Sequence, residues 1–162
     1  MTGRRPLLRR PARGLLLALL AAAAAGGCRP SRGGQVVAGG LHISHAVVTT
    51  TAEGEASAFL VLENASDTAR SLVGASADVT DSVMMHHDVG GQMQPVAQIA
   101  VPAGGRVLLA PGHDHLMLEG LRRPLAVGDT VALELLFSPG GPVTVRAPVL
   151  RYTEAVSELP IR

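Results

Sequence analysis

Between Leu41 and Val149 the chain is cut at short intervals by turn-forming residues, at Gly90-Gly91, Gly104-Gly105, Pro111-Gly112, Gly128-Asp129 and Pro139-Gly140-Gly141, and it sustains no helical period between them. So punctuated, it cannot supply the long helices of a bundle or of parallel crossovers, but it can supply many short antiparallel strands. Candidate strands fall at roughly 41–49, 57–64, 71–76, 82–89, 92–100, 106–110, 115–119, 130–137 and 142–149. About nine strands at this spacing predict an all-β fold, an antiparallel Greek-key sandwich or barrel. Alternation at Val131, Leu133 and Leu135, and again at Val143 and Val145, marks side chains that face the core. A single domain of this size buries roughly two thirds of its unfolded surface, enough for stability without disulfides.

The first 28 residues follow a different rule. A charged stretch ends at Arg13, an apolar run covers Leu15–Ala25, and Gly26-Gly27-Cys28 follows. The run is too short to span a bilayer as a mature helix and suits a signal peptide. Small residues before the only cysteine resemble a bacterial lipobox, which makes Cys28 the lipidated first residue of the mature chain; plain cleavage after a small-residue site is the alternative. Arg4-Arg5-Pro6-Leu7-Leu8-Arg9 loosely resembles a twin-arginine export signal. Residues 29–40 are Gly- and Arg-rich and read as a flexible tether. Localisation is therefore expected on the periplasmic or cell-surface side of a bacterial membrane, with the membrane surface reached through lipid.

After residue 27 the chain has nine arginines against thirteen carboxylates, a balance of −4, and no basic run. Nucleic acid is a poor partner for such a surface, because clustered Lys and Arg on phosphates dominate that affinity. One cysteine excludes both an internal disulfide framework and a CxxC site.

The chemistry-bearing residues are concentrated. Apart from the initiator, every methionine (Met84, Met85, Met93, Met117) and four of six histidines (His86, His87, His113, His115) lie within residues 84–117. With Gly90-Gly91 as a two-residue hairpin turn, Val89 pairs with Gln92 and Asp88 with Met93. His86 then shares a face with Met93 as its diagonal neighbour, Met84 lies further along that face, and Met85 and His87 point away. His115 and Met117 project together, while Leu116 and Leu118 turn to the core. Imidazoles and thioethers on neighbouring hairpin ends form a soft ligand set that suits Cu(I). Thioethers also need no deprotonation and form no disulfides outside the cytoplasm. His42 and His45 read as surface or edge histidines, His113 as a solvated tip, and lone methionines elsewhere would be core filler.

These residues carry a family resemblance. Ser82-Val83-Met84-Met85-His86, Gly91-Gln92-Met93-Gln94-Pro95-Val96, Val101-Pro102-Ala103-Gly104-Gly105, Pro111-Gly112-His113-Asp114-His115-Leu116-Met117-Leu118-Glu119-Gly120-Leu121 and Leu125-Ala126-Val127-Gly128-Asp129-Thr130 resemble the periplasmic copper chaperones of the PCuAC type. The family's motif is His, ten residues, Met, twenty-one residues, His-x-Met. Residues 94–114 supply the twenty-one, followed by His115-Leu116-Met117; upstream, only six residues separate His86 from Met93, and His87 stands where the family has an acidic residue. An even contraction within a hairpin preserves the face of each side chain, with Met84 and His87 as auxiliary candidates for the first ligand. The resemblance runs from about Leu41 to Val149. It implies a cupredoxin-like sandwich, one Cu(I) on His86, Met93, His115 and Met117, and delivery to the binuclear copper site of cytochrome c oxidase alongside a Sco-type thiol protein. The expected division is 1–27 signal peptide, 28–40 lipid-anchored tether, 41–155 copper-binding domain and 156–162 tail.

Other classes fit less well. A blue-copper carrier needs a thiolate, and the only cysteine lies at the export junction. No Gly-x-Ser-x-Gly elbow, HExxH helix or paired carboxylates indicate an enzyme. Copper buffering or resistance, or an Ig-like structural lipoprotein without metal, are the alternatives.

Overall fold

In the computed structural model, which describes residues 33–51 and 54–161, the turns separate short strands. The described residues form β1 (Gly34–Ala38), β2 (Leu41–Thr50), β3 (Ala56–Asn64), β4 (Arg70–Ala77), β5 (Thr80–Val89), β6 (Gln92–Pro95), β7 (Ile99–Val101), β8 (Arg106–Leu109), β9 (His115–Leu121), β10 (Thr130–Ser138), β11 (Gly141–Pro148) and a short helix, α1 (Tyr152–Glu158). They make two antiparallel sheets. One has the order β1-β2-β3-β9-β5-β6 with β8 also paired to β3, and the other the order β11-β10-β4-β7. The all-β sandwich expected from the punctuation is the fold found.

The alternation in β10 becomes its burial: Val131, Leu133, Leu135 and Phe137 are buried, and Thr130, Glu134, Leu136 and Ser138 are exposed. Such one-sided strands hold the main core between the sheets, with Leu60, Leu62, Leu116, Leu118 and Met85 contributed by the larger sheet. The centre of that sheet is different. Phe59 and Val47 sit on its outer face, where α1 closes over them with Leu150, Ala155 and Leu159 in a second, smaller core. This explains the unbroken apolar run Ala58-Phe59-Leu60-Val61-Leu62, since a strand covered on both faces has no reason to alternate.

Three boundaries differ from expectation. Residues 34–38, expected in a flexible tether, form β1 and pair with β2 through Val36↔Ile43, Val37↔His42 and Ala38↔Leu41. The stretch 92–100, expected as one strand, splits into β6 in the larger sheet and β7 in the smaller. β6 ends at Pro95, after which the Val96 N–H makes one more bond to the Met85 carbonyl, and the chain crosses between sheets before Ile99. The boundary at 155/156 runs through α1, and Leu159, expected in a tail, is buried. The expected signal peptide and Cys28 lie outside the described residues. No described helix is long and apolar enough to cross a membrane.

Candidate metal centre

Gly90 and Gly91 both have positive φ, 63° and 85°, the backbone of a two-residue turn that side-chain-bearing residues adopt poorly. The turn sets the register of the β5–β6 hairpin: Val89 faces Gln92, Asp88 faces Met93, and His86 faces Pro95. Met93 is therefore the diagonal neighbour of His86. On its other side β5 pairs with β9, which places Met84 directly opposite Met117 and His86 directly opposite His115. Four side chains with soft or borderline donor atoms thus occupy two adjacent rungs on one face. Between them, Met85 and Leu116 form the intervening rung and point into the main core.

The shared face is the outer one, beside the small core under α1. Phe59 packs against His115 with ring centroids 6.4 Å apart and planes inclined by 56°. His115 in turn meets His86 edge to face, at 5.5 Å between centroids. Both imidazoles are buried, at 9% exposure for His86 and 6% for His115. Met84 and Met117 are half-buried, and Met93, at 58% exposure, stands out at the hairpin end. A cavity of about 240 Å³ borders Met117 between Glu55 and Leu121.

The hydrogen bonding of the two rings is unequal. His115 Nδ1 donates to the His113 carbonyl at 3.0 Å; a carbonyl can only accept, so in the neutral ring the lone pair resides on Nε2. An outer hydrogen bond of this kind is how proteins fix the tautomer of a metal-binding histidine. His86 Nδ1 is buried and has no hydrogen-bond partner. An orphaned buried nitrogen costs about 1–3 kcal/mol, and a bound soft cation is one way to satisfy it.

The remaining histidines are elsewhere. His87 alternates to the other face of β5 from His86, and its Nδ1 is hydrogen-bonded to the Asp114 carboxylate in the β8–β9 turn. His113 is exposed, as its place in the turn predicts. His42 pairs with Glu63, and His45, at φ 55°, sits in a bulge of β2 with Nδ1 3.0 Å from Ser44 Oγ. Among the described residues no three His, Cys, Asp or Glu side chains converge into a metal-holding group, so any site here depends on thioethers. Phe59 and Asp114 are the residues that sequence reasoning did not single out. Nothing in their local pattern marks them, because both act through strands distant in sequence.

Sequence comparison places the chain. The LpqE-like lipoprotein family matches residues 41–149. The chain belongs to that family. Within this LpqE-like chain, β1 and α1 lie outside the matched stretch. A relative from Leifsonia xyli subsp. xyli (strain CTCB07), Lxx21020, named as a lipoprotein, is 32% identical over 123 residues, covering 73% of this chain and 74% of its own length. Among solved structures, the copper-bound PCuAC domain from PmoF2 superposes with a TM-score of 0.64 at 26% identity, covering 72% of this chain and 97% of that domain. The solution structure of Cu(I)-DR1885 from Deinococcus radiodurans matches with a TM-score of 0.57 at 33% identity, covering 65% and 74%. The fold is that of a PCuAC domain, as the residues of the copper motif led one to expect.

Proposed function

We propose that this chain is an extracytoplasmic copper chaperone that carries Cu(I) as cargo on His86, His115, Met117 and Met93. The observation that carries the reading is the buried, edge-to-face pair of His86 and His115, one nitrogen unpartnered and the other ring oriented by a carbonyl, flanked by thioethers. Two neutral imidazoles with thioethers suit Cu(I) and are a poor set for hard cations. Fold likeness to the copper-bound PmoF2 domain and to Cu(I)-DR1885 supports the same metal.

Neutral ligands also suit release. An acceptor's thiolates can replace thioethers one at a time, each exchange breaking one copper–thioether bond as one copper–thiolate bond forms, with no change of oxidation state. We assign as acceptor the copper-site subunit of cytochrome c oxidase, reached directly or through a Sco-type thiol protein.

Anaerobic Cu(I) titration of the purified chain against a competing chelator tests the site. One equivalent is expected to bind, Met117→Ala weakening it by tenfold or more, about 1.4 kcal/mol, and His42→Ala leaving it unchanged; equal, negligible effects reject the assignment. Delivery is tested in cells lacking the protein, whose oxidase activity is expected to fall and to recover with added copper. Copper sensitivity with normal oxidase assembly would instead indicate buffering.

A further inference from the structure

The ligand set read from the motif contains Met93 and Met117, yet the register separates these two more than any other pair of candidate ligands. Met117 lies on β9, opposite Met84. Met93 lies two strands away on β6, opposite Asp88, and so four residues further along the ladder. With strands about 4.8 Å apart and a rise of about 3.3 Å per residue, their backbones are roughly 16 Å apart on a regular sheet. Both thioethers can reach one ion only if the β5–β6 hairpin bends toward β9. Met84 needs no such movement, because directly opposed residues have Cβ atoms about 4.5–5.5 Å apart and Met84 stands on the His86 face of β5, next to the paired imidazoles.

Burial separates the same two residues. Met84 is half-buried beside the imidazoles, while Met93 is the most exposed candidate ligand, on the side of His86 away from Met84. Met93 is within diagonal reach of His86 alone among the proposed ligands.

Resting on the copper reading above and changing the role it gives Met93, we infer that Met84 is a resident ligand of the Cu(I) site, closing an inner set with His86, His115 and Met117, and that Met93 holds the ion only during exchange. In the inner set the ion sits over two adjacent rungs of β5 and β9. Transfer begins when Met93 engages the ion from the His86 side and an inner thioether lets go, which moves the cargo outward to where an acceptor's thiolate can reach it. His86 belongs to both sets and is the pivot of the exchange.

The test uses the purified chain and leucine replacements, which keep the volume of methionine and remove only its sulfur. The readouts are Cu(I) affinity against bicinchoninate, copper-edge X-ray absorption to count sulfur neighbours, and the rate of transfer to a dithiol peptide. Met84→Leu is expected to lower affinity by about tenfold or more, equivalent to about 1.4 kcal/mol, and to reduce the sulfur count from two to one. Met93→Leu is expected to cost less affinity than Met84→Leu, to keep two sulfurs, and to slow transfer severalfold. An unchanged sulfur count in Met84→Leu, or a larger affinity loss in Met93→Leu, overturns the inference while leaving Cu(I) binding in place. Failure of the unsubstituted chain to take up Cu(I) at all overturns the copper reading itself.

Discussion

His115 is restrained at three points on its ring: Nδ1 by the His113 carbonyl, one edge by His86, and one flank by Phe59. The first restraint is a backbone contact, so the identity of the side chain at 113 does not set it. The third is a side-chain contact that also belongs to the small core under α1, where Phe59 is 4% exposed. Removing that ring therefore acts twice. Phe59→Ala is expected to destabilise the fold by about 3–5 kcal/mol, the usual cost of deleting a buried phenyl group, and to weaken Cu(I) binding even under conditions where the variant is fully folded. Denaturant unfolding followed by Cu(I) titration of the folded fraction separates the two effects; unchanged affinity would show that the Phe59 contact does not orient His115.

Some elements announce themselves and others do not. The β5–β6 hairpin was legible because Gly-Gly between alternating residues specifies a tight turn, and the turn alone fixes Asp88 against Met93. The partner of β5 on its other edge was not legible. β5 and β9 are separated by three intervening strands in the chain, and no local pattern reveals that Met84 will face Met117. Leu116 and Leu118 could be sent to the core from alternation, but which strand they would lie beside could not. α1 leaves little mark on the sequence because its seven residues bury only Ala155, too few for a helical stripe, and β1 leaves little because its glycine-rich approach reads as tether. The loop before β10 carries its own pH signature. Hydrogen bonds from Arg123, and then from the Ala126 N–H, hold the Asp129 carboxyl below its ordinary value of 3.8. A depressed carboxylate contributes stability that is present above its unfolded pKa and lost as pH falls through the folded one. Stability measured by urea unfolding should thus decline below about pH 4, in the window just under that ordinary value. Arg123→Gln should flatten this part of the profile, and an identical profile in the variant would exclude the pair as its source.

At the scale of the whole molecule, the described chain has two apolar clusters, one between the sheets and one under α1, and the candidate site lies on the outer face at the margin of the second. The expected lipid anchor, Cys28, lies outside the described residues. If Cys28 carries lipid, Cys28→Ser should move the protein from the membrane fraction to the soluble one; recovery wholly with membranes would assign anchoring elsewhere. The alternation of core and donor side chains along β5 and β9 also shapes how such a protein can change over generations. Met84 and His86 flank the core residue Met85, and His115 and Met117 flank Leu116. Point substitutions can therefore retune the donors while the interior stays intact, or the reverse. A single inserted or deleted codon inside either strand has no such freedom, because shifting the ladder by one turns donors inward and core residues out together. Descendants of this chain are expected to accumulate length differences in their turns and almost none between Met84 and His86 or between His115 and Met117.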